Sequence, residues 1–156
     1  MIKLSILDQS PVPTGSNSKE AIAFTVRLAQ EAERLGYTRF WVSEHHDTRA
    51  LAGSTPEVLI AHLAAKTKQI RIGTGGVMMM HYSPLKMAEV FKTLSALSPG
   101  RIDFGVGRAP GGDGNSVYAL SEGRQPMVDH LYEEFDTALK LINDQYPEDR
   151  LYQTIA

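Results

Sequence analysis

The chain has 156 residues, one domain's worth, with 42% hydrophobic and 22% charged residues, and its 16 basic and 18 acidic side chains leave a formal charge of −2. There is no basic excess to neutralise a phosphate backbone, so nucleic acid is not an expected partner. Cysteine is absent, which excludes disulfides, thiolate metal sites and cysteine nucleophiles.

The opening MIKLSILDQSPVP has only a short apolar run. It is too brief for a signal peptide or a membrane span, and a reduced, cytoplasmic protein is the default expectation. Residues 2–7 are apolar and β-rich, and the polar stretch Asp8 to Pro13 breaks them. Asn17 or Ser18 is placed to cap a helix, with Glu20 completing a capping box after Asn17. Ile22, Val26, Ala29, Ala32 and Leu35 follow at helical spacing, and Gly36 stands where a helix end favours a left-handed residue. A second strand is predicted at 39–42 (RFWV), and Thr55-Pro56 opens a helix bearing Leu59, Ile60, Leu63 and Ala64. The third strand is 70–74. Its loop carries Met78, Met79 and Met80, a run that suits core packing or an apolar pocket. Ser83-Pro84 opens a helix with Met87, Phe91 and Leu94 on one face, stopped by Ser98-Pro99-Gly100. The fourth strand is predicted at 101–106, followed by a long glycine-rich loop from Gly107 to Gln125. A last helix runs from Pro126 to about Asn143 with Leu131, Phe135, Ala138 and Ile142 inward, and Tyr146-Pro147 ends it. This strict alternation, with a period of roughly 30–35 residues, predicts a parallel α/β sheet with helical crossovers.

Polar residues and glycines gather after each strand, whereas the loops returning from helix to strand are short. Ligands of parallel α/β folds bind at the carboxyl ends of the strands, so a site is expected on that face. Glu44-His45-His46-Asp47 is the densest cluster. It admits three readings: a metal site, a packed or hydrogen-bonded histidine pair, and a catalytic His45 suited to proton transfer. Gly105-Val106-Gly107 follows a strand like the start of a dinucleotide fingerprint, but Pro110 stands where the third glycine belongs, and that reading is rejected. Gly105 and Gly107 instead let a ligand approach the backbone. Arg108 has the geometry to grip a phosphate or to be a solvated loop residue; Arg124 is a second, weaker candidate. Gly75-Gly76 allows either close approach of a flat ligand or a simple turn.

LGYTRFWVSEHH (35–46), IRIGTGGVMMMHYSPLKMAEVFKTLSALSPGRIDFGVGRAP (70–110) and ILDQSPV (6–12) resemble the bacterial luciferase-like family of flavin-dependent monooxygenases. The resemblance implies a TIM-barrel-type (β/α)8 fold with reduced FMN at its C-terminal mouth; a deazaflavin coenzyme is the less expected cofactor. It places His45, beside Glu44, in catalysis, a non-proline cis peptide at Gly75-Gly76 behind the flavin ring, and the FMN phosphate on Arg108 and, through a gap, on Arg124. Gly107 stands where the luciferases proper carry a reactive cysteine, so thiol-dependent behaviour is not expected; no metal is. The implied reaction uses reduced FMN and dioxygen to oxidise a small organic substrate, with a flavin reductase supplying the flavin.

Four βα units are half of an eight-unit barrel, so a single half-barrel domain over 1–156 is expected. The alternative reading is a truncated or fragment half barrel that binds flavin weakly or not at all and has no turnover of its own. Two bare sheet edges and an interior expected to expose Ile, Leu, Val and Phe side chains predict a homodimer with a large apolar interface.

Overall fold

The first three predicted β-rich runs become single strands, the first of them at 5–8 rather than 2–7, and each amphipathic run becomes a helix. The computed structural model describes residues 2–124 and 128–145. In chain order it contains β1 (Ser5–Asp8), α1 (Ser18–Arg34), β2 (Arg39–Val42), α2 (Pro56–Lys66), β3 (Arg71–Thr74), β4 (Val77–Met78) and a 3-10 turn at Met79–His81. Next come α3 (Pro84–Leu97), β5 (Ile102–Asp103), β6 (Val106–Gly107), α4 (Gly114–Leu120), a 3-10 turn at Val128–His130 and α5 (Leu131–Ile142). Strands β1, β2, β3 and β5 form one sheet in that order, parallel throughout, and β4 pairs with β6 in a second small sheet.

Local chemistry sets the helix ends. The Asn17 side chain accepts the Glu20 amide at 3.1 Å, while the Glu20 carboxylate accepts from the Ser16 hydroxyl at 2.6 Å rather than closing the box on Asn17. Gly36 takes φ +80°, the left-handed conformation that ends α1. Leu35, expected on the apolar face, lies at this helix end and is 59% exposed. Pro56 and Pro84 begin α2 and α3 from the first turn, where no amide bond is lost.

The register decides which face each side chain meets. Ile6, Phe40, Ile72 and Ile102 are aligned across the sheet, and they pack with the helices in the core, where Phe40 and Ile72 are fully buried. The opposite face carries Ser5, Leu7, Arg39, Trp41, Arg71, Gly73 and Asp103. This corrects the expectation of an exposed aliphatic interior, because only Leu7 of its kind stands there, 56% exposed. Trp41 lies across Gly73 so closely that a Cβ at Gly73 would sit 2.6 Å from its ring. Asp103 accepts from Arg39 Nε at 3.0 Å and from Arg71 Nε at 3.0 Å, and Arg71 also donates to the Gly100 and Ile102 carbonyls. The bare face is therefore aromatic and glycine-lined at one level and charged at the other.

The predicted fourth strand is broken in two. At Gly105, Thr74 Oγ1 donates to the glycine carbonyl at 2.8 Å and accepts its amide at 3.1 Å, so a side chain replaces the ladder partner. The strand then resumes as β6, beside β4 instead of β3. The glycine-rich loop holds a helix that its composition hid. Asp113 caps α4 by accepting the Asn115 and Ser116 amides, each at 3.0 Å. In α5 the buried residues are Leu131, Ala138 and Leu141, whereas Phe135 is half-buried and meets the edge of Phe104, which stacks on Phe91. The expected helix start at Pro126 and stop at Tyr146-Pro147 lie outside the described residues.

The connection from α2 to β3 is held from two sides. Glu33, on α1, accepts the Lys68, Gln69 and Ile70 amides through one carboxylate. Arg101, just before β5, donates to the carbonyls of Ala64, Thr67 and Ile70 and to the Thr67 hydroxyl. Replacing Arg101 by Ala strands those acceptors at the end of α2, and is expected to lower the unfolding free energy by about 2 kcal/mol. Arg101→Lys should recover less than half of this, since an ammonium cannot fork to several acceptors. Urea unfolding with an unchanged slope is the measurement. Burial pushes the Glu33 carboxyl up, but the amides of Gln69, Ile70 and Lys68 outweigh it and hold it below its ordinary value. Its contribution is complete above the unfolded value of about 4.3 and is lost as pH falls through the lower folded value. Glu33→Gln should flatten that part of the acid limb in a stability-against-pH series.

Candidate functional site

The carboxyl ends of the strands are organised around Glu44. Two residues after β2 its side chain is fully buried. Its carboxylate accepts the Met78 amide at 2.8 Å and the Tyr82 hydroxyl at 2.6 Å, and lies 2.7 Å from His46 Nε2. Burial and the negative charge of Glu44 push the Tyr82 phenol far up, which keeps it a donor. A carboxylate with three partners and no exposed surface cannot touch a ligand on the open face. Glu44, expected beside His45 in catalysis, thus holds the frame of the site, and its ring partner is His46, not His45.

The two histidines diverge. His46 turns inward: its ring meets Glu44 and its amide donates to the Gly111 carbonyl at 2.8 Å. His45 turns outward. Its amide is fixed on the Gly53 carbonyl, its Nδ1 lies 3.2 Å from the Ser43 hydroxyl, and its ring lines an open cavity of 630 Å³ with Ser18, Asp47, Arg49 and Ser54. Among the described residues no three His, Asp or Glu side chains converge as a metal set, so the metal reading of residues 44–47 finds no geometry.

The glycines cluster where β3 passes to β4. The Gly75–Gly76 peptide is cis. Gly75 is exposed, and a Cβ there would lie 3.2 Å from Leu7 and Trp41. Gly76 is buried so tightly on Val106 and Gly107 that a Cβ would come within 2.6 Å of the Gly107 nitrogen. Gly107 is in turn closed over by Met78, with 2.8 Å from a notional Cβ to the methyl. Arg108 follows β6 directly, is exposed, and makes no hydrogen bond or ion pair among the described residues. Arg124 is not brought into this group. It is paired with Glu122 and lines a different cavity, of 320 Å³, with His81, Tyr82, Ser83 and Glu134.

Sequence reasoning missed Tyr82, Trp41 and a buried polar cluster at the end of β1. In that cluster Asp8 accepts from Thr25 Oγ1 at 2.5 Å, and Ser10 lies 2.9 Å from the same hydroxyl. Thr25 gave a signal, a hydroxyl on the buried stripe of α1. Tyr82 gave none, because its carboxylate partner stands 38 positions away.

The chain's relatives are now informative. It is 56% identical over 92% of its length to the Bacillus subtilis protein YwcH, and 48% identical over 99% to the Bacillus subtilis N-acetyl-S-alkylcysteine monooxygenase. The crystal structure of apo-MsnO8 superposes with a TM-score of 0.91 at 41% identity over 99% of the chain. An FMN complex of the oxygenating constituent of 3,6-diketocamphane monooxygenase from Pseudomonas putida shares the fold, with a TM-score of 0.74 at 21% identity over 90% of the chain. The chain spans about half the length of these proteins: 43%, 46%, 46% and 38% of them respectively. Its α/β architecture is accordingly that of a half barrel, four βα units of the TIM-barrel type. No helix among the described residues is long and apolar enough to cross a membrane. The family model for luciferase-like monooxygenases matches residues 2–142, and the chain belongs to that family.

Proposed function

We propose that this half barrel supplies the flavin-facing wall of an FMN-dependent monooxygenase that oxidises a small organic substrate. The observation that carries the reading is Arg108: an exposed guanidinium without a partner among the described residues, following directly on the tightly packed Gly76–Gly107 contact. A free guanidinium suits a phosphate, and a glycine edge beside Trp41 suits a flat ring. These residues fit FMN, and FMN, once reduced, supplies the activation of dioxygen.

The chain's own groups divide the remaining work. Arg108 binds the phosphate, and Arg124 joins it only by leaving Glu122. The exposed Gly75 would hold a flat ring beside Trp41, with the buried Gly76 packed behind it on Gly107. His45 holds or moves a proton at its ring, with Nδ1 oriented by Ser43. Glu44 is a positioning residue: by fixing Met78, Tyr82 and His46 it sets where the glycines lie. A small-molecule substrate, a flavin reductase as the source of reduced flavin and a cytoplasmic location belong to this reading, the first two supported by the family. A second reading has its own support. His45 lines a cavity that includes neither the glycines nor Arg108, so four βα units with weak flavin binding and no turnover of their own fit the same geometry. Flavin retained on purification, followed by reductase-coupled dioxygen uptake, separates the two.

Arg108→Ala is expected to weaken FMN ten- to hundredfold, roughly the 1.5–3 kcal/mol of one charge-assisted contact, and to leave riboflavin nearly unchanged. Fluorescence titration with both ligands checks this; equal losses would take the phosphate away from Arg108. The histidines should separate by stability as well as by chemistry. His46→Ala uncovers a buried carboxylate and should cost about 1.5–3 kcal/mol on chemical unfolding, whereas His45→Ala should fall within about 0.5 kcal/mol of the parent. His45→Ala should abolish flavin-dependent oxygen consumption coupled to substrate in an active assembly. Similar behaviour of the two variants would defeat the assignment.

A further inference from the structure

The loop after β2 brings a second chemical group to the cavity of His45. Arg49 lines the same 630 Å³ space, is exposed, and makes no hydrogen bond or ion pair among the described residues. Its backbone is nonetheless held on both sides. The Ala50 amide donates to Thr48 Oγ1 at 3.1 Å, and the Ala50 carbonyl accepts the Val12 amide at 2.8 Å. Leu51 pairs with Pro11 in an isolated antiparallel bridge, and the Ala52 amide donates to the Ser10 carbonyl at 2.9 Å. The Gly53 carbonyl accepts the His45 amide at 2.8 Å, so the loop is tied to the exit of β1 and to His45 itself. Thr48 Oγ1 acts as an acceptor within the loop, which leaves its hydrogen to be donated elsewhere. Among the described residues Asp47 is the one carboxylate on the lining, and its side chain meets that of Asp113 instead of Arg49. Leu51 and Ala52 give the same cavity a stretch of apolar wall.

We propose that Arg49 is the specificity residue of this cavity, and that the substrate it selects carries a carboxylate on a short apolar chain. The inference rests on the reading of His45 as the group that serves the substrate. A guanidinium presents paired N–H groups that match the two oxygens of a carboxylate. The hydroxyl of Thr48, one residue away, adds a further donor. Leu51 and Ala52 receive the apolar part, since small-molecule sites combine an apolar wall with a few placed polar groups. Charge decides between anions. With Asp47 on the same lining, a second negative charge on the ligand would find no counter-charge, so a carboxylate is favoured over a phosphate dianion. Preorganisation helps as well. Because the loop is tied at Ala50, Ala52 and Gly53, little backbone order has to be gained when the ligand arrives. A carboxylate anchored at Arg49 fixes one end of the substrate in the space that holds the His45 ring, so orientation there comes from charge as well as from shape.

Titration of the chain with hexanoate and with hexanamide, without flavin, is the test, read by calorimetry and by the NMR signals of the His45 ring. Hexanoate should bind about ten- to hundredfold more tightly than hexanamide, the range of one charge-assisted contact, and should shift the His45 signals. Arg49→Ala should bring hexanoate down to the hexanamide level with unchanged circular dichroism, since Arg49 is exposed and without a partner among the described residues. Arg49→Lys should recover only part of the difference, because an ammonium lacks the fork. Arg108→Ala should leave hexanoate binding as in the parent. Equal affinity for hexanoate and hexanamide overturns the proposal. So does hexanoate binding that survives Arg49→Ala, that is lost in Arg108→Ala, or that leaves the His45 ring unmoved. Inorganic phosphate held at Arg49 more tightly than hexanoate overturns the carboxylate class. Because these titrations contain no flavin, a failure of FMN to bind leaves their outcome standing, and their failure leaves the FMN titrations standing.

Discussion

A buried carboxylate is expensive unless its charge is met by donors, and Glu44 has three. Their positions matter more than their number. One is the amide of Met78 in β4, one the phenol of Tyr82 just before α3, and one the ring of His46, whose amide holds the loop at Gly111. A single side chain from the end of β2 thus fixes the exit of β3, the entry of α3 and the loop after β6. Uncover any one donor and the low-dielectric setting that strengthens the other two turns into a penalty. The glycine contacts around Gly76 and Gly107 are possible because this anchor pulls Met78 into place above them.

Most of the architecture was legible because it rests on local pattern. The runs at 39–42 and 70–74, the second of which forms a strand from Arg71, the prolines opening α2 and α3, and Gly36 after α1 state their roles through spacing alone. Failures came where a distant side chain overrode the pattern. The fourth strand reads as continuous from 101 to 106, but Thr74 intercepts Gly105 from the neighbouring strand. The loop from Gly107 reads as irregular because its glycines mask Asp113, a good cap for a short helix.

The site was legible in its parts and not in its wiring. Residues 44–46 announced chemistry, yet the sequence offered no way to see that Glu44 turns to His46 and leaves His45 lining a cavity with Ser18 and Arg49. Arg108 and Arg124 look alike in sequence; among the described residues one has no partner and the other is held by Glu122. The inner face of the sheet shows the same limit. Alternation fixed which residues point there, but not that Trp41 would spread over Gly73 or that one aspartate would serve two arginines.

The double clamp on the α2–β3 connection bears on cooperativity. Glu33 reaches forward 35 to 37 positions and Arg101 reaches back 31 to 37, so each clamp belongs to a different βα unit from the turn it holds. The backbone of that turn cannot be satisfied by its own unit, and neighbouring units must be in place before it becomes rigid. Half barrels built this way are poor candidates for stepwise fraying. Amide exchange at residues 68–70 belongs to the opening of the whole sheet rather than of a surface loop, although two of those three residues are exposed.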